Sequence, residues 1–298
     1  MSNFIDEDKF LSPKVTQHSG HMIMTNVNKP SKIKYFNIDT RFQEEYNLVK
    51  KASFQYILPQ RISDVKSIAV RSIEIPLSFF PFSKNRGNTF FQVDASSVVI
   101  PDLNYNATSL VSVIHNLLSS KISSGFDISL NSNTSIVLKN TSGRTHTVNF
   151  NVDTSGNFNR YPFKSTLGWC LGFRLPSYTI PNNSYITSEG IVDVNNIRYL
   201  FLVVDEFRQS NPNSFVSPLS NSLLSKNVLA RITLNPAFYP FGSVITANTF
   251  NGLLLSDQRM YSGNVDLQKL NIQLVDEWGN IVDLNQLDFS FCLEIEYE

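Results

Sequence analysis

Residues 270–298 read "LNIQLVDEWGNIVDLNQLDFSFCLEIEYE", and this stretch decides the fold class. Leu270, Ile272 and Leu274 alternate with Asn271 and Gln273, and Phe289, Phe291, Leu293, Ile295 and Tyr297 alternate with Ser290, Cys292, Glu294 and Glu296. A period of two places one set of side chains on a core face and the other on the opposite face of a strand. Between the two runs lies the turn "DEWGN", in which Gly279 is the residue able to take positive φ. The stretch therefore predicts two closing strands joined by a hairpin corner, with Trp278 covering the end of a sandwich.

Outward from this stretch, the same pattern recurs in short segments. "SFQYIL" places Phe54, Tyr56 and Leu58 on one face, with Pro59 as a stop. "VKSIAVRSIEIP" slips in parity between Val70 and Ile73, which predicts a bulge near Ser72. "NTFFQV" and "SSVVIP" are further strands. "FDISL" and "SIVLK" flank the turn "NSNT", and "HTVNFNV" follows as part of a second hairpin. "IRYLFLVVDEF" is apolar on both faces, as in a covered central strand. "NVLARITL" returns to period two after the long loop "NSFVSPLSNSLLSK". One helix is expected, in "NATSLVSVIHNLLSSKI", where Leu110, Val113, Ile114, Leu117 and Leu118 recur at helical spacing and Asn106 or Thr108 can cap the start.

The composition agrees. Twenty-three Phe and eleven Tyr in 298 residues favour strands, and scarce Ala with abundant Asn and Ser disfavours long helices. The whole predicts an all-β antiparallel sandwich, a single jelly roll with one short helix and long loops. Residues 1–34 are expected to be an extended N-terminal arm. Residues 35–298 form the jelly-roll domain, with a Pro/Asn/Ser-rich, loop-rich insertion around 153–196.

A formal net charge of zero removes the broad pull on which non-specific nucleic-acid binding relies, so no nucleic-acid partner is expected. The first residues, "MSNFIDEDKF", lack an apolar signal region, and the longest apolar run, "YLFLVV", falls far short of the ~20 residues that span a bilayer. Two cysteines, Cys170 and Cys292, do not make a disulfide framework. A soluble protein of a reducing compartment, without membrane insertion, is the expectation.

Candidate chemistry is sparse. "GWCLG" (168–172) has the spacing of a nucleophile elbow centred on Cys170, but "FRLPSYTIP" cannot supply the following helix, so Cys170 is read as a packing residue. His18 and His21 form an H-x-x-H pair without further ligands to complete a zinc site; His115 is read as solvated and His146 as a satisfied strand histidine. The pairs Asp205/Glu206 and Asp276/Glu277 point to opposite faces of their strands and are read as solvated turns. Sequons at Asn106, Asn133, Asn140 and Asn182 are attributed to chance. No P-loop, G-x-G-x-x-G or H-E-x-x-H occurs. No catalytic residue, cofactor or metal is expected, and the protein is not expected to be an enzyme. A carbohydrate-binding sandwich with Tyr161 and Tyr178 as stacking platforms is the competing class.

Three stretches together carry a family resemblance. "YFNIDTRFQEEY" leading into "SFQYILPQRISDVKSIAVRSIEIPLSFFPFS", then "STLGWCLGFR", then the closing stretch quoted above, resemble in order the jelly-roll capsid proteins of large icosahedral nucleocytoplasmic DNA viruses. The likeness covers about Tyr35 to Tyr297. It implies a virion structural protein, as the penton (vertex) protein or a minor capsid protein. The implied partners are its own copies in a homopentamer, the major capsid protein and other minor capsid proteins. The implied setting is the capsid, assembled in the host cytoplasm.

Overall fold

The computed structural model describes residues 14–18, 21–25, 30–43, 52–207, 227–235 and 238–298. Strands β1 (Lys14–His18) and β2 (His21–Thr25) form a separate antiparallel hairpin. Then come β3 (Lys32–Asp39), β4 (Ser53–Pro76), β5 (Phe90–Val93), β6 (Ser96–Val99), helix α1 (Ala107–Lys121), β7 (Phe126–Leu130), β8 (Ser135–Asn140) and β9 (His146–Asn149). The helical turn α2 (Leu167–Cys170) precedes β10 (Ser177–Ile180), β11 (Ser184–Ile191), β12 (Tyr199–Asp205), β13 (Val228–Thr233), β14 (Val244–Asn248), β15 (Leu254–Leu255), β16 (Arg259–Asp276) and β17 (Ser290–Tyr297). Every pairing between these strands is antiparallel. The fold is an antiparallel all-β jelly-roll sandwich.

Two long, bulged strands organise it. The large sheet runs β15-β13-β12-β16-β4-β17-β3, and β14 also pairs with β4. Most of the inward set of the closing stretch is fully buried, with Leu270, Ile272, Leu274, Phe291, Leu293 and Ile295 each at 0% exposure, while Tyr297 is partly buried. Burial of each such side chain contributes about 2 kcal/mol. These residues share one core with Phe54, Leu58, Ile68, Val70 and Ile73 of β4.

Several sequence expectations need correction here. Pro59 does not stop its strand, because β4 continues through it to Pro76. Ile57 pairs with Lys269 and Ile62 with Leu267, so Pro59 sits in a bulge where no ladder donor is required. The closing stretch is not a simple hairpin either. β16 and β17 lie on opposite sides of β4 rather than pairing with each other. Only the tight return is local: Val275 bridges Ile281, and the Val282 amide donates to the Leu274 carbonyl at 3.0 Å. The second expected hairpin also fails, since β9 pairs with β10 and β5 while β8 pairs with β7 and β11. The one-turn helix α2 was too short to show a period.

Other readings hold. Ser72 pairs with Cys292 and Val70 with Leu293, which leaves Arg71 as the bulged residue. β7 and β8 form the hairpin around "NSNT". Asn106 caps α1 through a capping box with Ser109. β12 lies between β13 and β16, with Leu200, Leu202 and Val204 in the main core and Phe201 and Val203 in a small cluster on the other face. The loop expected at "NSFVSPLSNSLLSK" lies outside the described residues.

The chain has a second core. Residues from Phe82 to Val194 pack around α1, a four-stranded sheet β10-β9-β5-β6 and a three-stranded sheet β11-β8-β7. The first core resumes at Ile197. The span 153–196 holds α2, β10 and β11, and its Leu167, Leu171, Phe173 and Ile180 belong to this second core.

Candidate functional site

The turn "DEWGN" meets the second-core segment through a buried charge cluster. Gly279 takes φ +81° and its amide donates to the Asp276 carbonyl, as the expected corner requires. Asp276 Oδ1 accepts from the amides of Trp278 and Asn280, each at 2.9 Å. Its Oδ2 accepts from Arg86 Nη1 at 2.6 Å. Arg86 ends a short 3₁₀ turn, Lys84–Arg86, at the start of the second-core segment. Glu277 lies 3.8 Å from the same guanidinium. Burial pushes its carboxyl up to about 7, with Arg86 opposing and the Asp276 charge adding to the rise.

The expectation of solvated acidic turns is therefore wrong for both pairs. Asp276 is 1% exposed, and Glu206 forms a fully buried ion pair with Arg259 at 2.6 Å. Arg259 Nη1 also donates to the Val204 carbonyl, and the Tyr261 hydroxyl donates to Glu206. Desolvation and the Glu206 charge hold the Tyr261 hydroxyl well above its ordinary range. The cationic partners come from positions 190 and 53 residues away in sequence, which is why local reading missed them. A buried pair of this kind consumes its carboxylate as a structural group rather than leaving it as an acid or base.

The remaining candidates are placed as follows. Cys170 ends α2, is 4% exposed and receives an Asn196 Nδ2 contact at 3.6 Å. Burial pushes its thiol up to about 12, the opposite of an activated nucleophile. His146 is fully buried with Nδ1 at 2.8 Å from Asp94 Oδ2 and Nε2 at 2.8 Å from Ser142 Oγ, a satisfied strand histidine. His115 is exposed and contacts Asp127. His18 and His21 are register partners in the β1–β2 backbone pairing. Among the described residues, no three His, Cys, Asp or Glu side chains converge on a point where a metal could sit. Asn140 is buried, donating to the carbonyls of Arg144 and Ile180, so that sequon is inaccessible.

Tyr178 packs on Phe150 and Phe173 and donates its hydroxyl to Glu189. Tyr161 is half-buried under Arg160, and its hydroxyl donates to the Asn85 carbonyl. Neither offers the open ring face that a stacking platform requires.

Among the described residues, several aromatic side chains stand in solvent. Phe250 is 98% exposed in the turn between β14 and β15; Phe158 is 80% and Phe238 78% exposed. Phe241, beside β14, stacks on Phe80 at 5.8 Å while remaining half exposed. Single exposed apolar residues are ordinary, but large rings held in water are enriched where a partner covers them.

No family model and no curated protein matches the chain. Among solved structures, the chain is similar to the mavirus penton protein at TM-score 0.44 and 11% identity, covering 90% of this chain and 100% of that one.

Proposed function

We propose that the chain is a structural capsid protein, the penton subunit that forms homopentamers at the vertices of an icosahedral virion. The observation that carries this reading is the set of exposed rings on the loops of a jelly-roll sandwich, led by Phe250. A closed ring of five uses one heterologous contact repeated by rotation, and a stable contact of this kind buries more than ~1,000 Å². The exposed phenylalanines supply apolar centres for such contacts. The resemblance of the three sequence stretches, in order, supports the same role. The segment ahead of β3 would reach a neighbouring subunit, and the major capsid protein would surround the ring.

Electron microscopy of the purified protein, with native mass spectrometry, tests this. Five-membered rings support it. A strictly monomeric protein that is also absent from purified particles overturns it, and a subunit seen only between capsomers moves the role to a minor capsid protein.

A further inference from the structure

The two cores meet across a polar seam. The chain passes from the first core to the second between Phe79 and Phe82, and returns between Val194 and Ile197. No strand of the second core pairs with a strand of the first, because the large sheet and the two smaller sheets are separate. Two clefts, of about 90 Å³ and about 250 Å³, open along the seam, and Arg86 borders both. The smaller lies between Ser83 and Asp102 on one side and Asn280 and Val282 on the other; the larger lies between Trp169 and Trp278. Units joined by two crossings and a polar contact move relative to each other unless a large apolar interface holds them.

Charge holds this seam. Arg86 of the second-core unit donates to Asp276 at 2.6 Å, and Arg198 lies 3.5 Å from Asp193 beside the return crossing. Glu277 is set into the same seam with its Oε2 lacking a hydrogen-bond partner, so the closed seam gives its charged form little support. The charged groups around it are the cations Arg86, Arg198 and Lys164 and the anions Asp276 and Asp193. Burial outweighs the cations and holds its carboxyl at about 7.

We propose that the second-core unit, Phe82 to Val194, is a lobe hinged at its two crossings, latched onto the jelly-roll body by Arg86 on Asp276 and released when Glu277 ionises. The closed state is fully favoured below about pH 4.5 and loses ground as pH rises through about 7. With Glu277 at its ordinary 4.5 once the seam is open to water, the open-to-closed ratio rises roughly 70-fold between about pH 5 and about pH 8.5. The inference does not rest on the capsid role, since a lobe of this kind opens in a single subunit.

Double electron–electron resonance on the full chain tests it, with spin labels placed by Ser112→Cys in α1 and Thr246→Cys in β14, both exposed positions. Cys292→Ser removes the accessible thiol, and Cys170 is buried. One inter-label distance is expected at the lower pH, joined at the higher pH by a second, changed distance. Asp276→Asn, which keeps the Oδ1 acceptor for the turn amides, should populate the second distance already at the lower pH. Glu277→Gln should hold the parent's low-pH distribution at both. The proposal is overturned if neither pH nor Asp276→Asn changes the distance, or if Glu277→Gln opens with pH as the parent does. Should Asp276→Asn fail to fold, hydrogen exchange of the parent decides. The seam amides of Lys84–Arg86 and 280–282 should lose protection at the higher pH while β5 and β17 keep theirs. Equal loss in seam and strands, or no loss in the seam, overturns the proposal.

Discussion

Arg86→Met should be among the most damaging single changes on this surface. Asp276 is 1% exposed, and the substitution leaves its carboxylate buried without the guanidinium that now meets it at 2.6 Å. Removing one partner of a buried pair costs about 3–5 kcal/mol. Asp276 keeps three other donors, the amides of Trp278 and Asn280 and the Asn280 side-chain amide, which places the loss near the lower end, about 3 kcal/mol. At about 2–4 °C per kcal/mol for a domain of this size class, the expected drop in Tm is about 6–12 °C. Calorimetry at neutral pH measures it. A double-mutant cycle with Asp276→Asn isolates the pair, since asparagine retains the Oδ1 acceptor for the turn amides. The coupling should exceed about 1 kcal/mol. A Tm drop under about 2 °C, or single losses that add to within about 0.5 kcal/mol, would refute the view that this ion pair ties the acidic turn to the second-core segment.

Glu277 makes the same corner pH-sensitive. Its folded carboxyl titrates at about 7 against an ordinary value of 4.5, so the folded state holds the extra proton between those limits. Its contribution is fully present below about pH 4.5 and is lost as pH rises through about 7, a change of at most ~3 kcal/mol. Glu277→Gln should flatten the Tm profile over that window, and an unchanged profile would show that Glu277 does not titrate there. Gly279→Val forces a β-branched residue to φ +81° and should cost about 2 kcal/mol; Gly279→Asn, which tolerates that region, should cost clearly less in the same urea titration. Phe250→Ser should shift stability by no more than about 0.5 kcal/mol because the ring is in water, yet should weaken subunit association by sedimentation. Equal effects on both would mean that the ring is a folding contact.

Much of the architecture was legible because burial on one face imposes a period that survives without any knowledge of partners. Leu270 to Leu274 and Phe289 to Ile295 alternate as core residues must, and they are core residues. The helix was legible from its 3–4 spacing and its Asn106 cap. The parity slip at Val70–Ile73 was legible as a bulge, because one extra residue reverses the faces on either side of it. The burial of Cys170 agreed with a following segment that cannot complete a nucleophile elbow, and that of His146 with its sharing a face with Val148 and Phe150.

Pairing partners and charge partners were not legible. Alternation says that a strand has a buried face but not which strand lies beside it, so β16 and β17 read as a hairpin although β4 runs between them. Likewise β9 left its sequence neighbour to join β5 and β10. An acidic pair at a strand end carries the same local signal whether it faces water or an arginine. Arg86 and Arg259 arrive only through the tertiary fold, and their arrival turns Asp276 and Glu206 from solvated residues into buried ions. By itself, the sequence determined which apolar side chains of the alternating strands leave water. The tertiary structure alone decided what they meet, because strand order and ion pairing depend on contacts between distant residues that no local pattern encodes.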